Sequence, residues 1–138
     1  MDRVISRVAR LNEIGIALSA EKDTKKLLEL IMMGAKVLTH ADGGTLYSLK
    51  DDTLTFEIIS NDTLGIQMGG TSGNQIGFEP ISLYKSNGKE NHNMVVTHSV
   101  LSGNTINIED AYHEHGFDFT GTRLFDSQTG YRTRSILT

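Results

Sequence analysis

The sequence contains no cysteine and no tryptophan, and it contains only one proline. Without cysteine the chain cannot form disulfides, thiolate metal sites, iron–sulfur clusters or a cysteine nucleophile. No apolar run approaches the roughly 20 residues that a membrane-spanning helix needs. The stretch 1–10 also lacks the apolar core of a secretory signal. These absences predict a cytoplasmic protein with no membrane contact.

Basic charge is scarce over most of the chain. The net charge is −4, and residues 41–138 carry six Lys or Arg against twelve Asp or Glu. Proteins that bind nucleic acid expose a basic patch, so this balance predicts no nucleic-acid partner. The 138 residues and a hydrophobic content of 38% fit a single globular domain.

The first 20 residues carry apolar side chains at helical spacing. These side chains are Val4, Val8, Leu11 and Leu18, with Gly15 in the same seam. The spacing predicts a helix. One interpretation is that this helix packs on its own domain. The other is that it forms a short seam between two subunits of a homodimer, because heptad spacing favours such an interface.

A second helix is predicted from Asp23, a good N-cap residue, to about Thr39. Its apolar face is expected to contain Leu27, Leu28, Ile31, Ala35 and Leu38. Lys25, Lys26, Glu29 and Lys36 fall mostly on the opposite, polar face. The glycines of Ala41-Asp42-Gly43-Gly44 then end the helical stretch.

The rest of the chain alternates between strand and helix patterns. The predicted elements are a hairpin (45–49 and 54–59), a short strand (80–84), a helix (94–101) ending at Gly103, a strand (105–108) and a last strand (132–137). The segment 65–77 is rich in glycine and is predicted to be a loop or bulged strand, and 109–130 is predicted to be a long loop. This order is that of an α+β fold, with a mainly antiparallel sheet covered by helices.

Several segments resemble the GAF domain. Phe125-Asp126-Ser127-Gln128-Thr129-Gly130-Tyr131-Arg132-Thr133 is similar to the stretch before the fifth strand in GAF domains of cyclic-nucleotide phosphodiesterases. Ala41–Tyr47 and Asn107–Tyr112 also match the family. Asn61–Gly73 is similar to GAF domains that precede bacterial HD-GYP phosphodiesterase domains. The resemblance covers roughly residues 10–138.

The resemblance implies a sensor domain over 21–138 that binds a small ligand and is not itself an enzyme. The ligand would be a cyclic nucleotide or a similar heterocycle, held between one face of the sheet and a lid formed by the helix near residue 95 and the 109–130 loop. The output domain, such as an HD-GYP phosphodiesterase, would belong to the same parent chain. The family continues through a last strand and a C-terminal helix, so the domain is expected to be truncated at its C-terminus. The ligand-binding positions carried over from the family are Thr45, Val95, Val96, Asp126, Thr129 and Thr133.

Strand alternation supports part of this assignment. In a strand over 132–137, Thr133 would face away from Arg132 and Arg134, so the arginines would pair with acidic groups elsewhere. Thr hydroxyls and the Asp126 carboxylate can bond to the edges of a nucleobase, while Val95 and Val96 can cover its ring.

Two other functions compete with the sensor. A metal-dependent hydrolase would use His113, His115 and Asp118, which lie among Glu109, Asp110 and Glu114. These residues also fit a solvated surface loop, and no metal site is predicted. The third possibility is a dimerisation module without a ligand. His98 lies on an apolar helix face and is predicted to be a buried, hydrogen-bonded histidine.

Overall fold

Residues 2–138 are described by a computed structural model, and they combine helices with antiparallel strand pairs in an α+β fold, as the sequence predicts. The helices are α1 (Asp2–Ala20), α2 (Thr24–Thr39), α3 (Val95–Ser102) and α4 (Thr120–Thr129). The strands are β1 (Gly43–Lys50), β2 (Thr53–Asn61), β3 (Ile66–Gly69), β4 (Ile81–Ser82), β5 (Asn107–Ile108) and β6 (Ile136–Leu137). Within residues 2–138, no helix has both the length and the apolar character to cross a membrane.

The chain forms two compact units. The first contains the described residues up to Ser48 together with Thr55–Glu79. The second contains Leu49–Leu54 together with Pro80–Thr138.

The helical pair of the first unit is formed by α1 and α2. Asp23 caps α2 as predicted, because its carboxylate accepts the backbone N–H groups of Lys25 and Lys26. The two helices approach closely at Gly34, where an added Cβ would lie 3.1 Å from Cγ2 of Ile14.

The predicted apolar face of α2 is partly wrong. The buried residues of the helix are Met32 and Gly34, while Ile31 and Ala35 are exposed. Gly34 faces Ile14 of α1, whereas Met32, two residues earlier, packs beside Gly44 of β1. Residues two apart in a helix lie on different faces, so α2 is buried at separate points on two sides rather than along the predicted apolar face.

The predicted hairpin is confirmed as β1 and β2. Asp51 and Asp52 both have positive φ angles, 50° and 61°, which is the pair of conformations that a two-residue type I′ turn requires. In the first unit β2 continues antiparallel to β3, with Ile58 opposite Gly69. Ile58 is fully buried there.

The second unit has its own apolar core. The buried residues of this core are Val95, Ile108, Ala111 and Phe119. Antiparallel pairs connect β2 to β4 and β5 to β6. The predicted end of α3 is confirmed, since Gly103 has a φ of 70° and its N–H bonds to the carbonyl of Ser99.

Two predictions near the C-terminus are wrong. The expected loop 109–130 contains α4, and the expected strand 132–137 is reduced to Ile136–Leu137. Leu124 and Phe125 are the only large apolar residues of α4, and the helix contains Gly121, so the sequence shows no run of apolar residues at helical spacing. Arg132 and Thr133 are instead held by bonds to carboxylate side chains, and the carbonyl of Arg134 accepts the backbone N–H of Ala111 at 2.8 Å.

Candidate functional site

Three of the predicted ligand-binding residues lie at or just after the end of α4. They are Asp126, Thr129 and Thr133. The carboxylate of Asp118 accepts the backbone N–H and the hydroxyl of Thr120, so it fixes the first turn of this helix. Gly130 closes the helix with a φ of 75°, and its N–H bonds to the carbonyl of Asp126. Asp126 therefore lies in the last turn, immediately before the chain leaves the helix.

Asp126 is the buried acceptor of this region, with 5% of its surface exposed. Its Oδ2 accepts the hydroxyl of Tyr112 at 2.6 Å and the backbone N–H of Thr133 at 2.9 Å. Its Oδ1 accepts the hydroxyl of Thr133, also at 2.9 Å. A buried carboxylate needs such donors, because an unpaired charge away from water is costly. Asp126 thus holds the segment after α4 against Tyr112.

A second carboxylate, that of Asp110, accepts the backbone N–H of Tyr112 at 3.0 Å. Both oxygens of Asp110 accept hydrogen bonds from the guanidinium of Arg132, at 3.1 and 3.2 Å. The guanidinium carbon of Arg132 also lies 4.6 Å from the centre of the Tyr112 ring. The prediction that Arg132 pairs with an acidic side chain is confirmed. Asp126, Thr133, Tyr112, Asp110 and Arg132 are hereafter the Asp126 cluster.

The hydrogen bonds of the cluster shift two pKa values in opposite directions. The pKa of Asp110 lies well below its usual range, mainly because the backbone N–H of Tyr112 and then the side chain of Arg132 bond to its charged form. The pKa of Tyr112 is raised, mainly because its hydroxyl donates to Asp126. Both shifts favour an ionised Asp110 and a protonated Tyr112 at neutral pH.

The structure corrects the reason for the orientation of Thr133. This residue lies outside the strand β6, so strand alternation does not determine where its side chain points. The two bonds to Asp126 hold it instead. Because its single hydroxyl proton goes to Asp126, the Thr133 oxygen can offer only lone pairs to a further partner.

The other candidate ligand residues are in different environments. Thr129 is one turn from Asp126 on α4, and its hydroxyl donates to the carbonyl of Phe125 at 2.8 Å. Val95 is 8% exposed and belongs to the core, whereas Val96 beside it is half-buried. Thr45 is exposed on β1, in the first unit. The structure therefore joins Asp126 and Thr133 directly and places Thr129 next to them.

The residues of the alternative metal site already have partners of other kinds. Nδ1 of His113 lies 2.9 Å from Asp110, and Asp118 is bonded to Thr120. His115 is exposed. In the part of the chain from 2 to 138, no three His, Asp or Glu side chains are grouped so that they could share a metal ion.

A groove of about 540 Å³ in the first unit was not predicted from the sequence. Nζ of Lys36 lies in it and donates to Ser60 at 3.0 Å and to Asp62 at 2.6 Å. The Lys36 side chain is only 13% exposed, so the prediction that it lies on the polar, outward face of α2 is wrong. The bonds to Ser60 on β2 and to Asp62 just after it draw this lysine inward, and the spacing of residues in α2 gives no signal for such contacts.

A contact between two histidines of the second unit was also not predicted from the sequence. Nδ1 of His92 and Nδ1 of His98 lie 2.8 Å apart. His98 is half-buried and hydrogen-bonded, so the prediction for it holds except for complete burial. His92 had no signal, because its role depends on a contact rather than on spacing.

The comparisons with known proteins add no family to this description. Scans of the sequence against models of protein families and against curated proteins find no match.

Proposed function

We propose that the chain is a regulatory small-molecule-binding domain of the GAF type, which senses a cyclic nucleotide or a similar heterocycle. The observation that carries the proposal is the Asp126 cluster. Asp126 and Thr133, assigned to ligand binding from the resemblance, are bonded to each other, and Thr129 lies one helical turn away. Tyr112, from another segment that resembles the family, completes the cluster.

The bonding pattern of the cluster favours a ligand with an N–H donor. The Thr133 hydroxyl gives its proton to Asp126, so its free lone pairs accept from a ligand. Nucleobases carry N–H donors on their edges, and half-buried Val96 offers apolar surface for a ring. In this proposal Val95 supports the site from the core and does not touch the ligand itself.

Signalling would reach an output domain in the same parent protein, such as an HD-GYP phosphodiesterase. The signal of ligand binding would be transmitted through a homodimer in which the α1 helices of two chains pack together. Five large apolar side chains of this helix are at least half exposed, which is unusual unless a partner covers them. They are Val4, Ile5, Val8, Leu11 and Ile16.

Calorimetric titration tests the ligand. Cyclic AMP, cyclic GMP and cyclic di-GMP are titrated into the wild-type chain and into Thr133→Val, which keeps the shape and deletes the hydroxyl. Loss of one buried hydrogen-bond partner costs about 1–3 kcal/mol, so affinity should fall by roughly one to two orders of magnitude. Thr39→Val is the control for deletion of a threonine hydroxyl away from the cluster, because Thr39 lies on α2 in the first unit and its hydroxyl donates to the carbonyl of Ala35. If none of the three nucleotides binds below about millimolar, the cyclic-nucleotide proposal is wrong.

Sedimentation tests the dimer. Leu11→Lys places a charge among the exposed apolar residues of α1 and should convert a dimer to monomers. Leu124→Lys is the control, since Leu124 is exposed to a similar degree on α4. An identical sedimentation coefficient for wild type and Leu11→Lys would refute this interface.

A further inference from the structure

The strongest unassigned feature is the pair His92 and His98 in the second unit. Their Nδ1 atoms lie 2.8 Å apart, and the two rings meet edge to face with centroids 4.9 Å apart. At this distance a single hydrogen lies between the two nitrogens, because two N–H groups would repel and two bare lone pairs would gain nothing. Both ring nitrogens therefore point at one position.

We propose that this position binds one divalent late transition metal ion, with Nδ1 of His92 and Nδ1 of His98 as its protein ligands and water in the remaining positions. Imidazole nitrogens suit zinc, copper and nickel. Ligand nitrogens about 2.0–2.1 Å from a tetrahedral ion are roughly 3.3 Å apart, so the rings need to separate by only about half an ångström. The His92 side chain is 45% exposed, which gives water and the ion access.

A carboxylate behind His92 supports the assignment. Oε2 of Glu90 lies 3.7 Å from Nε2 of His92, on the side of the ring away from His98. Histidines that bind metals commonly present their other ring N–H to a carboxylate, which fixes the tautomer and raises the basicity of the ligand. At 3.7 Å the contact is longer than a hydrogen bond, so Glu90 acts through its charge, which favours hydrogen on Nε2 of His92 and leaves the Nδ1 lone pair available.

The position of the hydrogen then follows for His98. With His92 accepting, Nδ1 of His98 is the donor of the pair. Metal binding moves this hydrogen to Nε2 of His98, a change of tautomer with no net release of a proton. The metal replaces the shared hydrogen and leaves both imidazoles neutral, which is the form that binds metals.

The backbone on both sides of His92 is hydrogen-bonded, and the ring of His98 has an aromatic neighbour. Asn91, next to His92, donates its backbone N–H to Leu83 at 2.7 Å, and the carbonyl of Asn93 accepts the N–H of Asp118 at 2.7 Å. The ring of His98 packs on Phe117, with centroids 5.5 Å apart. A bound ion would tie the loop before α3 to the second turn of the helix, and so make the start of α3 sensitive to metal.

Titration with Zn²⁺ alone tests the site on the wild-type chain. Two-dimensional NMR of the histidine side-chain nitrogens should show Nδ1 of His92 and of His98 shifting together and saturating at one ion per chain. The other three histidines should shift later or not at all. If these two Nδ1 signals stay in place while Zn²⁺ binds elsewhere, or if no Zn²⁺ binds, the proposal is wrong.

Variants provide an independent check by calorimetry. His98→Asn and His92→Asn should each lower the affinity for Zn²⁺ more than about tenfold, since each loses a direct ligand. Glu90→Gln should lower it by less than about tenfold, because the carboxylate of Glu90 lies 3.7 Å from Nε2 of His92 and is no direct ligand. His115→Asn is the matched control, because His115 is exposed on a different loop. If His115→Asn weakens binding as much as His98→Asn, the ion lies elsewhere and the assignment fails.

Discussion

Replacing Thr133 with valine should reveal how strongly the Asp126 cluster holds the segment after α4. The change removes the 2.9 Å bond from the Thr133 hydroxyl to Oδ1 of Asp126 and keeps the backbone N–H bond to Oδ2. Hydrogen bonds to charged groups contribute about 1.5–3 kcal/mol. Thr133 is half-buried, so water replaces part of the loss, and we expect the free energy of unfolding to fall by about 1.5–2 kcal/mol.

Thr129→Val serves as the matched control for this measurement. It removes the hydroxyl of another half-buried threonine, which donates to the carbonyl of Phe125 and accepts the backbone N–H of Tyr131 at 3.3 Å. Both partners are neutral, and a bond to the carbonyl four residues back adds little to a helix, so the cost should stay below about 1.5 kcal/mol. Urea denaturation followed by circular dichroism gives both values from the midpoint and slope. A loss for Thr133→Val no larger than that for Thr129→Val would refute the reasoning.

Three further predictions concern the glycine turn, the cluster charge and the helix cap. Gly69→Ala should destabilise the chain by about 1–3 kcal/mol more than Gly73→Ala. Both glycines have positive φ, but only at Gly69 would a Cβ overlap the carbonyl oxygen of Glu57. Equal urea midpoints for the two variants would contradict this. The lowered pKa of Asp110 contributes stability that is present above about pH 4 and is lost as the pH falls towards the folded pKa. In Asp110→Asn the free energy of unfolding should therefore fall less steeply as the pH drops below about 4. A slope equal to that of the wild type would count against this. Asp23→Ala should cost about 0.5–2 kcal/mol by thermal or urea unfolding, and a neutral effect would mean that the cap contributes nothing.

Local signals explain which parts of the fold could be predicted. Asp23 and Gly103 mark helix ends by their own chemistry, and the charged turn at Asp51 and Asp52 separates two clear strand patterns. In these places the residues that decide the structure lie next to the element they define. The prediction therefore did not require knowledge of distant contacts.

The errors occur where tertiary contacts outweigh the local pattern. Helix α4 has no apolar stripe and depends on Asp118 at its start and Gly130 at its end. Lys36 turns inward because acceptors on and just after β2 bind its ammonium group. In each case the decisive partner comes from outside the periodic pattern.

The candidate site could be predicted only in part for the same reason. The resemblance selected Asp126 and Thr133, but the participation of Tyr112 depends on a contact across 14 positions of the sequence. The pairing of His92 with His98 likewise spans a loop and a helix turn. Spacing alone identifies neither contact.

The central claim is that the Asp126 cluster forms part of a small-ligand site, and amide NMR tests it most directly. Uniformly ¹⁵N-labelled chain is titrated with cyclic AMP, cyclic GMP and cyclic di-GMP in turn. The account predicts saturable shifts for at least one nucleotide, largest at the amides of Thr129 and Thr133 and reduced in Thr133→Val. The absence of saturable shifts with all three nucleotides, or shifts confined to residues outside the second unit, would contradict it.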